Sequence, residues 1–364
     1  MNFALFTTTF FPIVGGAEKQ LDLLARGLLA RGHSPLVIAP WVSGKNNEIK
    51  TPYPIYRYPR IRSKRWGLRW HARFLSQLHK KHAFDWIHSQ GAYPAGYMAS
   101  AFAKRHSVPL IIRAYGGDVL PGEAIASSWW LNRRLKKTTA SAKILIAQNH
   151  ELKELLSQLS GNPNHVFQLA NGVEIELYAK EILPNPYCDE APFALTLSNF
   201  YPKKGLDILI RAWAQVVKQL PQAKLKIAGH GPDEIKLKNL IHELCVDDVV
   251  TIHGQVRSED KIQLLQASQL YISSARREPF SNALLEAIAA GNRVVATRTG
   301  GSIEIVQKTQ SGVLVEPSDE TALANAIIQS FPQARPLLTF EQRYERIACY
   351  SVEAMIDNYL ALLK

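Results

Sequence analysis

The sequence predicts an α/β chain of two Rossmann-like domains. Short apolar, β-branched runs alternate with longer helical patterns, which argues for βαβ units and buried parallel sheets. The alternation stops at a Pro-containing stretch, "EILPNPYCDEAP" (181–192), and then restarts. A length of 364 residues is enough for two cored domains.

In the first half the predicted strands are "NFALFTT" (2–8), "PLVIAP" (35–40), "FDWIHS" (84–89), "PLIIRA" (109–114) and "KILIAQ" (143–148). After Gly15-Gly16, Leu21, Leu24, Ala25 and Leu28 recur at helical spacing, and Gly32 follows as a C-terminal cap. In the second half they are "FALTLS" (193–198), "AKLKIAG" (223–229), "DVVTIHG" (248–254), "QLYISS" (269–274), "NRVVAT" (292–297) and "SGVLVEP" (311–317). The expected domains are 1–185 and 186–348, with a separate amphipathic helix over 349–364. A ligand should sit outside the carboxyl ends of the strands.

Hydrophobic residues make up 46% of the chain and charged residues 20%, an ordinary globular balance without a fixed-period repeat. Cys188, Cys245 and Cys349 match no zinc spacing and read as reduced thiols. The apolar start lacks a positive lead and breaks at Pro12, so a buried strand is expected there instead of a leader. Charge is uneven: residues 1–185 hold 24 Lys/Arg against 11 Asp/Glu, and 186–364 hold 19 against 20. Residues 57–82 alone carry nine Lys/Arg and no acid, interleaved with Trp66, Trp70 and Phe74.

The stretch "REPFSNALLEAIAAGNRVVAT" (277–297) holds the densest candidate chemistry. Pro279 biases Glu278 away from helical dihedrals, so Glu278 belongs to a loop after a strand. Ser281 or Asn282 can cap the helix that follows, and the amides around Phe280 to Ala283, with the helix dipole, favour a phosphate. Glu286, one turn in, suits two vicinal hydroxyls such as a ribose offers. A capped helix with two solvated acids gives the same pattern. Lys203 and Lys204, before Gly205 at another strand–helix turn, can neutralise a pyrophosphate or form a solvated pair. Gly15-Gly16 is neither a Walker loop nor G-x-G-x-x-G; it can bring backbone close to a ligand or simply turn.

The order Gly15-Gly16, "YGGDV" (115–119), "LANGVEIELY" (169–178), "SNFYPKKGLD", "LKIAGHGP", "VTIHGQV" (250–256), "REPFSNALLEAIAAG" and "ATRTGGSIEIV" (296–306) resembles glycosyltransferase family 4 over nearly the whole chain. That resemblance implies the GT-B fold, two Rossmann-like domains facing each other across a cleft, and retaining transfer from a nucleotide diphosphosugar, UDP- or GDP-linked. It implies that Glu278 contacts the donor sugar, Glu286 the ribose, Lys204 the diphosphate, Gly16 the diphosphate from the other domain, and the backbone at Val256 and Arg257 the base. Two positions depart from the family pattern. Asn199 replaces an Arg, for which Lys203 is a candidate substitute, and Tyr115 replaces the His of "HGxD". The last helix is implied to cross back to the first domain. Asp118 stays open between an acceptor-side carboxylate, with Gly15 and Tyr115 nearby, and a structural turn residue.

No D-x-D occurs, so the expectation is leaving-group stabilisation by Lys204 and helix amides, with no metal and no cofactor. The basic, Trp-bearing segment 57–82 suits an anionic membrane surface, at roughly 1 kcal/mol per surface Lys/Arg, and hence a glycan or lipid-linked acceptor on the inner face of the cytoplasmic membrane. A solvated basic face is the other reading. A soluble acceptor, or a GT-B-like sugar-nucleotide epimerase, would fit the same fold. With no recognisable module, no nucleic-acid partner is expected.

Overall fold

The computed structural model describes residues 1–42, 50–59, 64–120, 128–179, 187, 192–256, 258–333 and 338–364. They form two compact units, Met1–Gly172 with Val352–Lys364, and Val173–Ser351.

The first unit holds β1 (Asn2–Phe6), β2 (Ser34–Pro40), β3 (Ile55–Tyr58), β4 (Trp86–Gln90), β5 (Leu110–Arg113), β6 (Ile144–Ala147) and β7 (Val166–Gln168). They pair in parallel in the order β3-β2-β1-β4-β5-β6-β7. Successive residues of a strand face opposite sides, so Phe3 and Leu5 enter one core with Leu21, Leu24 and Leu28 of the first helix, Gly16–Ala30. Ala4 and Phe6 enter the other, with Leu75 and Phe102. Burial on both faces is why the central strands read as continuous apolar runs. The sequence patterns miss β3 and β7, whose short, part-polar edge sequences carry no such run.

The last helix, Val352–Ala361, packs in the first unit, where a Cβ on Gly27 would come within 2.3 Å of Ile356 and Arg31 pairs with Asp357 at 2.7 Å. Residues 349–351, read from sequence as part of that terminal element, belong to the second unit. So do residues 173–179, read as part of the first domain: the short Ile175–Ala179 helix buries Tyr178 there. Local periodicity marks helices but not which core they join, so the Pro-containing stretch attracted the boundary.

The second unit holds β8 (Phe193–Leu197), β9 (Lys224–Ala228), β10 (Val250–Gly254), β11 (Leu270–Ser273), β12 (Arg293–Thr297) and β13 (Gly312–Val315). All are parallel, in the order β10-β9-β8-β11-β12-β13. Its core centres on Trp213, fully buried against Phe331. Both sheets have the doubly wound order, with the connection direction reversing between β1 and β4 and between β8 and β11. In open α/β sheets of this order, ligands bind outside the carboxyl ends of the strands at such a reversal.

Candidate functional site

Two loops leave the carboxyl edge of the second sheet at its reversal, one after β8 and one after β11. The β8 loop makes a short turn over Pro202–Lys204 and reaches Gly205 at φ +63°, where a Cβ would lie 2.1 Å from the Ser274 carbonyl oxygen. Glycine is needed there because the β11 loop passes so close. The amides of Arg276 and Arg277 donate to the Lys203 carbonyl at 2.9 and 3.1 Å, and the Ser274 hydroxyl donates to that of Lys204 at 3.2 Å. The Arg276 guanidinium grips Asp207 with two bonds of 2.6 and 2.7 Å, and this pairing holds the Asp207 carboxyl below its usual range. The stitched loops bring the Lys204 ammonium onto the Glu278 carboxylate as an ion pair. Both side chains remain partly open, at 21% and 15% exposure.

The β11 loop runs into the Asn282–Ala289 helix, capped by Ser281, whose hydroxyl accepts from the Leu284 amide at 3.2 Å. Of the two caps the sequence allows, Ser281 is the one used. Asn282 opens the helix, and the buried Phe280 lies beside Tyr350, ring centroids 6.3 Å apart. The first-turn amides have no intrahelical acceptors, so this end of the helix is electropositive. Glu286 is buried, yet Lys261 donates to it at 2.9 Å and Tyr178 hydrogen-bonds it through its hydroxyl. Burial first, then the Glu286 charge, push the Tyr178 phenol far above its usual range. Lys261 and Tyr178 thus orient the Glu286 carboxylate at the helix start.

In the first unit Gly15 precedes the Gly16–Ala30 helix in extended backbone, next to the Glu18 carboxylate. Asp118 accepts from the Ala92 amide at 2.5 Å and the Tyr115 amide at 2.9 Å, and also from those of Gly116 and Asp118 itself. Burial raises its pKa against these four donors. Both oxygens are thus committed to backbone, the geometry of the structural alternative. The Tyr115 hydroxyl accepts from Gln90 Nε2 at 2.5 Å, and burial pushes the phenol up to about 12.

Gln90 also faces His88, which is fully buried and pushed down to about 3, chiefly by burial and then by the Arg113 charge. An unfolded His titrates near 6.5. Between these values the unfolded chain binds a proton that the folded chain refuses, so stability falls as pH falls, by up to about 1.4 kcal/mol per pH unit. Urea unfolding at pH 7 and pH 5 should show a drop that shrinks in His88→Gln; an equal drop in both proteins would contradict a buried neutral His88.

The second unit therefore gathers Lys203, Lys204, Glu278, Phe280, Ser281, Asn282 and Glu286 on adjoining loops and one helix start. Asn199 is exposed on the β8 loop and Val256 follows the edge strand β10, while Arg257 lies outside the described residues. Gly15, Gly16, Tyr115 and Asp118 belong to the first unit. Sequence reasoning missed Lys261, Arg276 and Gln90. Tyr178 stands in the "LANGVEIELY" stretch but was given no role.

Two doubly wound units, the second with a lysine–carboxylate pair and an electropositive helix start at its reversal point, define a GT-B architecture. Residues 14–177 match the model for Glycosyltransferase Family 4, and residues 184–335 that for Glycosyl transferases group 1. The chain belongs to glycosyltransferase family 4 and is a glycosyltransferase. It is 24% identical over 343 residues to N-acetyl-alpha-D-glucosaminyl L-malate synthase of Bacillus anthracis, covering 88% of this chain and 86% of that one. It is 26% identical over 350 residues to a GDP-mannose-dependent monoacylated alpha-(1-6)-phosphatidylinositol monomannoside mannosyltransferase of Corynebacterium glutamicum, covering 89% and 87%. Among solved structures, Anabaena HepE in complex with UDP superposes with a TM-score of 0.79 at 21% identity, covering 100% of this chain and 99% of that one.

Proposed function

We propose that this glycosyltransferase is a retaining enzyme that moves a sugar from a nucleotide diphosphosugar to a glycan or lipid-linked acceptor at the cytoplasmic membrane surface, in the building of a polysaccharide, lipopolysaccharide or related glycolipid. The observation that carries the donor half is the placement of Lys204, Glu278 and Glu286 around one helix start at the β8/β11 reversal. Glu286 takes the ribose hydroxyls, the first-turn amides and Lys204 take the diphosphate, and Glu278 takes sugar hydroxyls. A UDP complex of HepE and a GDP-mannose-dependent relative support a nucleotide sugar as donor.

Breaking the anomeric bond puts positive charge on the sugar and negative charge on the departing phosphate. Fixed donors at the phosphate lower that barrier, since they need no reorganisation during the reaction. With the acceptor hydroxyl attacking from the face the phosphate leaves, a phosphate oxygen can take its proton and the anomeric configuration is kept. The Lys204–Glu278 pair is then the resting arrangement, which the diphosphate draws apart. No metal step is required by this scheme.

The lipid half rests on charge and exposure. The aromatics that the sequence offered for a membrane face turn inward: Trp70 stacks on Phe74 at 5.1 Å and both pack on the core with His71 nearby. The side chain of Trp66 lies outside the described residues. Trp129 and Trp130, by contrast, are 64% and 63% exposed. They open the Trp129–Ala140 helix, whose exposed side chains also include Arg133, Arg134, Lys136 and Lys137 and no acid. Indole beside arginine and lysine suits an anionic interface. Among the described residues no helix is long and apolar enough to cross a membrane. A soluble acceptor is the second reading, favoured by the malate in the name of the Bacillus relative.

Labelled UDP- and GDP-sugars incubated with the enzyme and a bacterial lipid extract should give label that partitions into organic solvent. Sedimentation with vesicles containing anionic lipid should weaken at least about tenfold in Trp129→Ala/Trp130→Ala. Label transferred only to water-soluble acceptors, with no vesicle binding at low salt, would move the assignment to the soluble reading.

A further inference from the structure

Glu278 stands in a loop of the second unit that is tied on both flanks. On the β8 side, the Arg276 and Arg277 amides donate to the Lys203 carbonyl. On the other side runs the loop that leaves β12 and turns into the Gly301–Thr309 helix. There the buried Thr297 hydroxyl donates to the Ala275 carbonyl at 2.6 Å, and the Gly301 amide donates to the Pro279 carbonyl at 2.8 Å. Glu278 therefore lies between an amide held by one neighbouring loop and a carbonyl held by the other.

The β12 loop comes this close because it carries two glycines. Gly300 has φ +44° and ψ −126°, a conformation that residues with a side chain rarely adopt. At Gly301 the need is room: a Cβ would lie 2.4 and 3.0 Å from two carbons of the Phe280 ring and 3.1 Å from the Pro279 carbonyl oxygen. That ring cannot simply swing aside, for it is buried beside the buried Tyr350, centroids 6.3 Å apart. Carbon atoms in contact settle at about 3.5–4.0 Å, so a side chain at 301 would drive the ring, and the backbone that carries it, back by about 1 Å. Glu286 is secured separately, by Lys261 and Tyr178. The two carboxylates have different supports.

We propose that Gly301 is a positioning residue for the donor sugar: by making room for the Phe280 ring and fixing the Pro279 carbonyl, it sets where the Glu278 carboxylate stands. The nucleotide end of the site is set independently, through Glu286. The sugar in this statement rests on the glycosyl-donor reading; the packing of the two loops does not. Turnover and nucleotide binding should accordingly come apart when position 301 is changed.

Gly301→Ala in the full chain tests this. Slow hydrolysis of UDP-glucose or GDP-mannose, whichever the wild type accepts, with water in place of the acceptor, should fall roughly 10²-fold, the cost of about 1 Å of misplacement at a reacting centre. Calorimetric affinity for UDP or GDP, which lack the sugar, should stay within about threefold of wild type. Adding Phe280→Leu to Gly301→Ala trims the obstructing ring, and should recover at least about tenfold of the lost rate and raise the thermal midpoint of the single variant. Thr297→Val removes the tie to Ala275 and serves where Gly301→Ala folds poorly; it should slow hydrolysis about three- to tenfold at unchanged nucleotide affinity. Undiminished hydrolysis in the variant used, a loss of nucleotide affinity as large as the loss of rate, or a double variant no better than Gly301→Ala overturns the positioning role. A wild type that binds neither UDP nor GDP and hydrolyses neither sugar nucleotide would instead defeat the donor reading and the claim about the sugar with it, with the thermal rescue by Phe280→Leu still deciding the packing.

Discussion

Lys204→Ala is expected to lower kcat roughly 10²–10³-fold, the usual cost of removing one preorganised donor from a developing negative charge. The reason lies in timing. In the resting protein the ammonium pairs with Glu278, and on the proposed reading the charge it would meet on the leaving diphosphate grows as the anomeric bond breaks. Its contribution is therefore larger in the transition state than in the bound donor, and kcat should fall more than KM rises. Lys203, whose carbonyl anchors the Arg276 and Arg277 amides, retains that backbone role when its side chain is removed, so Lys203→Ala should cost less. Steady-state kinetics of the two variants decide the matter: equal effects, or a Lys204→Ala enzyme within a few-fold of wild type, would place the phosphate elsewhere.

On the proposed reading, Glu286→Ala should weaken nucleotide binding about 10²–10⁴-fold, since a buried carboxylate would lose two bonds to ribose hydroxyls, each worth about 1.5–3 kcal/mol when one partner is charged. The same change removes a hydrogen-bond acceptor from Lys261 and Tyr178. Lys261→Ala and Tyr178→Phe remove orientation only and should weaken binding by a smaller factor, about three- to tenfold. Calorimetry on the three variants separates the cases. A Lys261→Ala loss as large as that of Glu286→Ala would mean that the lysine, not the carboxylate, meets the nucleotide.

The central strands were readable because burial on both faces writes them as largely apolar runs, "ILIA" and "FALTL" among them. The Ser281 cap and the non-helical Glu278 were readable for a local reason, capping chemistry and the restriction before proline. What was not readable depends on tertiary approach. Lys261 sits in an ordinary amphipathic pattern, and only folding brings its helix against Glu286. Gln90 looks like any polar residue ending a strand until Ala17, Tyr115 and His88 surround it. The basic segment 57–82 misled in one respect, because Trp70 and Phe74 have the same letters whether they face lipid or core. Their stacking inside the first unit shows the core.

The central claim, that a nucleotide sugar binds at the β8/β11 reversal, is tested most directly by thermal unfolding of the wild-type protein titrated with UDP, GDP and ADP. A nucleotide at about 100 times its dissociation constant adds about 2.7 kcal/mol of stability, which raises the midpoint measurably. One base should be preferred, and the shift should persist in EDTA and collapse in Glu286→Ala. No shift with any of the three at millimolar concentration, or an undiminished shift in Glu286→Ala, would contradict it.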